Sequence, residues 1–254
     1  MTNSKILTIA GSDIHSGGGM QADLATFAHF GLYGFVALTS IVTIQQDKFI
    51  VHSVQPEIFE EQLTSLENID FAAIKIGLLP NRQILLATAK FLSKQTVPII
   101  LDPVIVFKEN ADYKVNEIRD LFISKLIPLA DMITPNLREA EILSGLTIKN
   151  LADMKNAAQI LHQFGAKIVI IKGGNRFDKT QAVDLFYDGE HFTCLSKPIS
   201  DKNNNGAGCT FASSLASLIA QSVKADIAFA QAKDFVYQAI LSANDYGVFQ
   251  NGKG

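Results

Sequence analysis

The sequence predicts an α/β protein: a mostly parallel sheet with helices on both faces and a few antiparallel strands at its edge. Three observations predict it. Short β-branched runs alternate with longer amphipathic stretches along the chain, which is the rhythm of parallel strands joined by crossover helices. That rhythm breaks late, at 181–196, where Asp188-Gly189 sits between two alternating runs, a hairpin signal. No Pro- or Ser-rich linker, long charge block or repeat interrupts the 254 residues. Residues 1–254 therefore read as a single domain.

In chain order, KILTIA (5–10), FVALTS (35–40), AAIKIG (72–77), VPIIL (97–101), ADMIT (130–134) and KIVIIK (167–172) have the length and composition of buried strands. Helices are expected near 19–30, 56–67, 82–94, 115–126, 138–144, 151–163, 209–221 and 226–243. TIQQDKFIVHSV (43–54) is strand-like with no helix after it, and reads as a flap over the sheet. In the helix after 209, Phe211, Leu215, Leu218 and Ile219 follow i, i+4, i+7, i+8, a core-facing stripe.

Composition narrows the function classes. With 48% apolar and 19% charged residues, the chain can bury one sizeable core. A net charge of −3 and no clustered basic face argue against a nucleic-acid partner. There are only two cysteines, Cys194 and Cys209, so a reducing cytosol fits better than a disulfide framework. The N-terminal apolar run is too short for a signal-peptide core. No run of about 20 apolar residues exists to span a membrane. The expectation is a soluble cytoplasmic protein without a membrane partner.

Five segments carry candidate chemistry. In GSDIHSGGGMQADL (11–24), Gly17 to Ala22 formally match GxGxxA, but six residues separate Ala10 from Gly17. No acid follows about 20 residues later, so a dinucleotide site is not supported. The glycines still let backbone approach a ligand closely. Asp23 falls on the apolar side of the helix, between Phe27 and Phe30, where a carboxylate is costly unless hydrogen-bonded. It is either an acid complementing the helix dipole or a carboxylate aimed at a polar ligand at the sheet's carboxyl edge.

Asp102 ends a strand and Pro103 turns the chain away. Such an acid suits Mg²⁺, or simply a turn. Asn136 and Glu139 have capping-box spacing, and that structural reading suffices for both. Lys172 ends another strand ahead of Gly173-Gly174, a placement that suits a phosphate, although no GxxxxGK[ST] occurs in the chain. Finally, NNNGAGC (203–209) leads into the last helix pair. Gly206, Ala207 and Gly208 lie just before or in the first turn, where N–H groups attract phosphate. Cys209 is either a small buried hydrophobe or a thiol activated by the helix N-terminus. Cys194, alternating with Phe192 in an edge strand, fits the first description.

Together, TIAGSDIHSGGGMQADLATF, GFVALTSIVT, KIGLL, LDPVIVFK, ITPNLREAEILSG, VIIKGG and NNGAGCTFASSLAS resemble, from residue 8 to about 217, the ribokinase-like superfamily. More narrowly they resemble the branch of the hydroxymethylpyrimidine (phosphate) kinases and related pyridoxal kinases. The resemblance implies a three-layer α/β/α sandwich with a mainly parallel central sheet, a small β flap, ATP-dependent phosphorylation of a hydroxymethyl group, Mg²⁺, and a homodimer. It puts Gly206 to Cys209 on the anion hole for the transferring phosphoryl group, with cysteine where the superfamily's carbohydrate kinases carry an aspartate base. It puts Asn136, Glu139 and Lys172 on nucleotide-phosphate and Mg²⁺ positions and Asp102 on a metal-side acid. Gly11 and Asp23 fall on substrate-ring contacts, Leu78 and Val104 on apolar walls. His52 falls on a flap histidine, with an exposed strand histidine as the alternative.

The flap separates two substrates. Hydroxymethylpyrimidine kinases of this branch read A-Q-N-T there; VTIQQ puts Ile44 at the glutamine position. An apolar side chain suits a methylpyridine, and a buried amide suits an aminopyrimidine. This favours pyridoxal over hydroxymethylpyrimidine, unless a register slip brings Gln45 or Gln46 into place. Two departures stand out. Asn205 occupies a position where histidine is common, and Phe107 one where some relatives carry a second cysteine. The expected reaction is ATP with pyridoxal to ADP and pyridoxal 5′-phosphate. Hydroxymethylpyrimidine or its phosphate is the alternative substrate, and a catalytically impaired vitamin-binding protein the non-enzymatic alternative.

Overall fold

The structure, a computed structural model, describes residues 4–46, 48–105 and 112–250. Phe107 lies outside the described residues. In chain order the elements are β1 (Lys5–Ser12), α1 (Gly19–His29), β2 (Tyr33–Gln45), β3 (Lys48–Ser53), α2 (Pro56–Leu66), β4 (Ala73–Ile76), α3 (Arg82–Leu92) and β5 (Ile99–Leu101). Then follow α4 (Asp112–Leu121), β6 (Met132–Ile133), α5 (Leu137–Ser144), α6 (Leu151–Gln163), β7 (Ile168–Lys172), β8 (Gln181–Tyr187), β9 (Phe192–Pro198), α7 (Ala207–Ala220) and α8 (Ala225–Leu241).

By their contacts the residues fall into two compact units. One holds the residues up to Ile99 together with those from Lys202 on; the other is Ile100–Asp201. In the first unit the strand order is β3-β2-β1-β4. β1 runs parallel to both β2 and β4, and β2 turns back antiparallel onto β3. β1 is buried at six successive positions from Ile6 to Gly11. Continuous burial, rather than alternation, is what a parallel strand covered on both faces shows. In the second unit, which takes up β5 from Ile100, β5, β6 and β7 are parallel neighbours, and β8 and β9 add antiparallel.

The expected hairpin is present. Gly189 takes φ +98° in the loop between β8 and β9, and Asp188 Oδ1 accepts from the amides of Glu190 and His191. Two elements differ from expectation. β2 continues through residue 45 and absorbs the first part of the expected flap, because residues 40–45 pair in register with 48–53. The helix expected near 115–126 leaves α-geometry at Phe122, passes through a π turn to Leu126, and tightens into a 3₁₀ turn at Ile127–Leu129. Pro128 in that last turn has no N–H to continue an α-helix. Among the described residues, no helix is long and apolar enough to cross a membrane.

Candidate active site

In the second unit, three charged side chains converge at the carboxyl ends of parallel strands. Asp102 follows β5 directly and is 2% exposed. Lys172 ends β7, and its Nζ donates to Asp102 Oδ1 at 2.8 Å; Thr134 Oγ1 donates to the same oxygen at 3.2 Å. Asn136 bridges to Lys172 in parallel fashion, and Lys172 N–H donates to Pro135 O at 2.8 Å. The capping box is real. Glu139 N–H donates to Asn136 Oδ1 at 2.9 Å, and Asn136 N–H donates to Glu139 Oε2 at 2.8 Å. The box also aims a carboxylate at the strand ends. Burial pushes the Glu139 carboxyl from 4.5 up to about 7; the Asp102 charge adds to the rise, while Lys172 and the Asn136 amide oppose it.

Four of the predicted residues, Asp102, Asn136, Glu139 and Lys172, thus stand together. Val104, half-buried, turns back with its N–H on Asp102 O at 2.9 Å. Behind Lys172, Gly173 N–H donates to buried Asp184 Oδ1 at 3.0 Å. The two carboxylates are a donor set that fits Mg²⁺, which is commonly held by one or two carboxylates and shared with substrate phosphates, and the Lys172 ammonium, with no lone pair for a metal, suits the phosphates instead. No group of three or more His, Cys, Asp or Glu side chains placed to hold a metal by themselves occurs among the described residues.

The first unit holds the other predicted residues. α7 starts at Ala207, and Gly206 before it takes φ +82° with no side-chain cap. A Cβ on Gly206 would overlap the Gly17 carbonyl and lie 3.1 Å from Gly18 N. Backbone therefore packs on backbone, and the N-terminus of α7 sits against the loop that starts α1. Gly18 N–H donates to Asp13 Oδ2 at 2.7 Å, and a Cβ on Gly18 would stand 3.8 Å from Cys209 Sγ. The half-buried Cys209 thiol is thus beside the glycine loop. One expectation needs correcting: the Ala207 amide is not an open donor, since it closes a turn onto Asn204 O at 3.1 Å.

Asp23 needs a larger correction. It lies beyond the first turn of α1, which contains no acid, so it does not complement the dipole there. It is 0% exposed, so it has no surface to offer a substrate ring. Its Oδ2 accepts from Thr8 Oγ1 at 2.6 Å and from Lys75 Nζ at 2.9 Å, and its Oδ1 accepts from Ser213 Oγ. The cost of burying it is met by internal partners.

Gly11 and Leu78 do come together. A Cβ on Gly11 would approach Leu78 Cδ2 to 3.2 Å and collide with Ser40 Oγ. Beside Gly11 the β1–β2 register slips by one residue, and such a bulge re-aims side chains. Half-buried Ile44 pairs with Phe49 across the β2–β3 hairpin, and exposed His52 pairs with Ile41, its Nε2 2.9 Å from Thr43 Oγ1. Asn205 proves to be a tether. Its Nδ2 donates to Tyr246 O at 3.1 Å, and its carbonyl accepts from Val248 N–H at 3.0 Å.

Sequence reasoning missed Asp13, Thr8, Lys75, Ser213 and the segment 244–250. For Lys75 a signal existed: one lysine inside the apolar run AAIKIG, matching one acid on an apolar helix face. The segment 244–250 has no periodicity to mark it, although buried Gln250 donates from Nε2 to Thr210 Oγ1 at 3.0 Å.

The fold is the ribokinase-like α/β fold that the motifs imply. The chain superimposes on Staphylococcus aureus pyridoxal kinase in complex with AMP-PCP and pyridoxal with a TM-score of 0.92, at 37% identity, covering 99% of this chain and 95% of that one. The phosphomethylpyrimidine kinase of Clostridium difficile gives a TM-score of 0.80 at 32% identity, covering 94% of this chain and 100% of that one. A pyridoxine kinase of Bacillus subtilis is 38% identical over 94% of this chain and 91% of its own length. Residues 13–253 match the phosphomethylpyrimidine kinase family, and the chain belongs to it.

Proposed function

We propose that this protein transfers the γ-phosphoryl group of ATP to the 5′-hydroxymethyl group of pyridoxal, giving pyridoxal 5′-phosphate. The observation that carries this reading is the TM-score of 0.92 over 99% of the chain to a pyridoxal kinase that holds a nucleotide analogue and pyridoxal. The corresponding score for the phosphomethylpyrimidine kinase is 0.80. Ile44 at the flap, in place of an amide, points the same way.

Phosphoryl transfer asks a protein for positioning and charge neutralisation more than for covalent chemistry. Lys172 offsets phosphate charge, and Asn136 and Glu139 hold the nucleotide phosphates. Asp102 and Glu139 would hold Mg²⁺, which supplies further neutralisation of the phosphate oxygens when bound. Gly206 and Gly208, with the turn closed by Ala207, form the hole for the transferring group at a helix N-terminus. Cys209, as thiolate, orients or deprotonates the hydroxymethyl group. Gly11, Leu78 and Ile44 wall the ring, with His52 on the flap. Asp23 acts through other residues and does not touch substrate. A homodimer in the cytoplasm completes the proposal, and sedimentation velocity tests the dimer.

A coupled ADP-release assay with pyridoxal, pyridoxine, pyridoxamine and hydroxymethylpyrimidine decides the substrate; the largest kcat/KM on hydroxymethylpyrimidine would overturn the pyridoxal reading. That second reading has support of its own in the family match over residues 13–253. Cys209→Ala is expected to lower kcat by roughly 10²–10⁴, and near-wild-type turnover would remove the base role. Ligand-induced melting shifts without ADP release would leave a vitamin-binding protein instead.

A further inference from the structure

One turn into each of the two helices that carry the glycine loops lies a set of polar side chains that the proposed reaction does not touch. Asp23 on α1, Thr8 on β1, Lys75 on β4 and Ser213 on α7 are all fully buried. Asp23 joins them: Thr8 and Lys75 meet one of its oxygens, Ser213 the other. Asp23 stands four residues beyond Gly19, the start of α1. Ser213 stands four residues beyond Cys209, so it lies one turn along α7 on the same face.

A fully buried ion pair is a poor stabilising device, because desolvation offsets its attraction and packed apolar side chains of similar volume serve as well or better. What hydrogen-bonded charges supply and apolar packing does not is direction. Ser213 Oγ, Lys75 Nζ and Thr8 Oγ1 approach one carboxylate along fixed lines, so α7 cannot slide or rotate against α1 and β1 without breaking one of them. The same two helices meet at their N-termini through bare backbone. Gly206 rests on Gly17, and Gly18 lies beside Cys209. Gly206 carries no side chain to buffer a small displacement against Gly17, so the register of α7 bears directly on where the Cys209 thiol and the Gly206–Gly208 backbone stand.

We propose that Ser213 and the buried Lys75–Asp23 pair are positioning residues for phosphoryl transfer, fixing the axial register of α7 so that Cys209 and the glycine loop are held in reacting geometry. This rests on the reading of Gly206–Cys209 as the transfer site.

Ser213→Ala removes the link from α7 to Asp23 with little change in volume. Ser217→Ala is the matched control: Ser217 is equally buried on α7, but its hydroxyl donates to Ser213 O within the same helix at 2.7 Å and sets no register. Ser213→Ala is expected to lower kcat about 10- to 100-fold with KM for ATP little changed, since small misplacements cost rate rather than nucleotide binding. Ser217→Ala should leave kcat near wild type. The second readout is the ultraviolet titration of the Cys209 thiolate in a Cys194→Ser background. Its midpoint should move in Ser213→Ala and stay in Ser217→Ala, because a helix N-terminus acts on a thiol only at close range.

Equal losses of melting temperature in both serine variants, with kcat and the thiolate midpoint unchanged, would reduce the cluster to a core contact and overturn the proposal. If Ser213→Ala does not fold, Ser213→Cys, of similar shape and with a weaker donor, takes its place and is judged on kcat alone. If the wild-type protein does not phosphorylate pyridoxal, it is the functional reading that fails, and the thiolate titration alone then decides the clamp.

Discussion

Gly206→Ala is the sharpest single perturbation of the candidate site, and its size can be worked from two separable terms. The first is conformational: φ at Gly206 is +82°, and an L-residue held there costs about 1–2 kcal/mol. The second is steric. The new Cβ would overlap the Gly17 carbonyl and lie 3.1 Å from Gly18 N, so backbone, not a flexible side chain, has to move by roughly 1.5 Å or more to reach van der Waals distance. Overpacking of that kind adds about 1–3 kcal/mol. Gly31→Ala isolates the first term, because Gly31 has φ +73° and nothing within 4 Å of its Cβ position. The loss for Gly31→Ala is therefore about 1–2 kcal/mol, and that for Gly206→Ala about 2–5 kcal/mol. A loop shift of that size should also lower kcat by about 10²-fold or more, whereas Gly31→Ala should leave turnover unchanged. Thermal melts and the coupled ADP-release assay measure both. If Gly206→Ala melts with Gly31→Ala and turns over at the wild-type rate, the rigid backbone junction between Gly17 and Gly206 is not what shapes this site.

Three further outcomes are expected. Glu139 is raised to about 7 in the fold, so its contribution to stability is full below pH 4.5 and is lost as pH rises through about 7. Glu139→Gln keeps an acceptor for the Asn136 amide and should be the more stable protein at pH 8 by on the order of 3 kcal/mol, with a flatter melting-temperature profile between pH 5 and 8; parallel profiles would contradict this. Asp23→Asn leaves Lys75 buried against a neutral partner and should cost about 3–5 kcal/mol, much of it recovered in Asp23→Asn/Lys75→Met; an additive double variant would mean that the pair is not coupled. Ser40 Oγ is buried with no hydrogen-bond partner among the described residues, so Ser40→Ala should be neutral or stabilising by about 1 kcal/mol in the ligand-free protein. A loss of stability on that scale would mean that the hydroxyl is satisfied in solution.

Most of the fold was legible because its signals are local. β1, β4 and β7 are short apolar runs, and the capping box of α5 and the Asp188-Gly189 loop announce themselves within a few residues. The strand-end residues Asp102 and Lys172 were legible for the same reason: each follows a run whose end is visible. What failed was long-range. Periodicity shows that Asp23 faces inward but not that Ser213, 190 positions away, and Lys75 wait there.

Asn205 is the residue whose meaning changed most, and it supports a last prediction. By the resemblance, which puts a histidine at this position, it is a lost titratable group beside the proposed anion hole. By its bonds, it fastens the glycine loop to the segment 244–248: its amide nitrogen reaches Tyr246 O, its own N–H goes to Asn203 Oδ1 at 2.9 Å, and its carbonyl takes the Val248 amide. The segment in turn lies close enough that a Cβ on Gly247 would stand 2.7 Å from Gly17 Cα. An amide performs this task without a charge, so the task imposes no dependence on pH. Asn205→Ala should loosen the segment and lower kcat about tenfold, as a modest displacement of the loop would, with the shape of the pH–rate profile unchanged. Asn205→His separates the two meanings. If position 205 only fastens the loop, an imidazole N–H that reaches Tyr246 O restores turnover without adding a titration near 6.5, the ordinary histidine value. A gain in kcat above the wild type, with a new limb in the profile near that pH, would show instead that the site works better with a proton-transferring group there and that the tether is incidental.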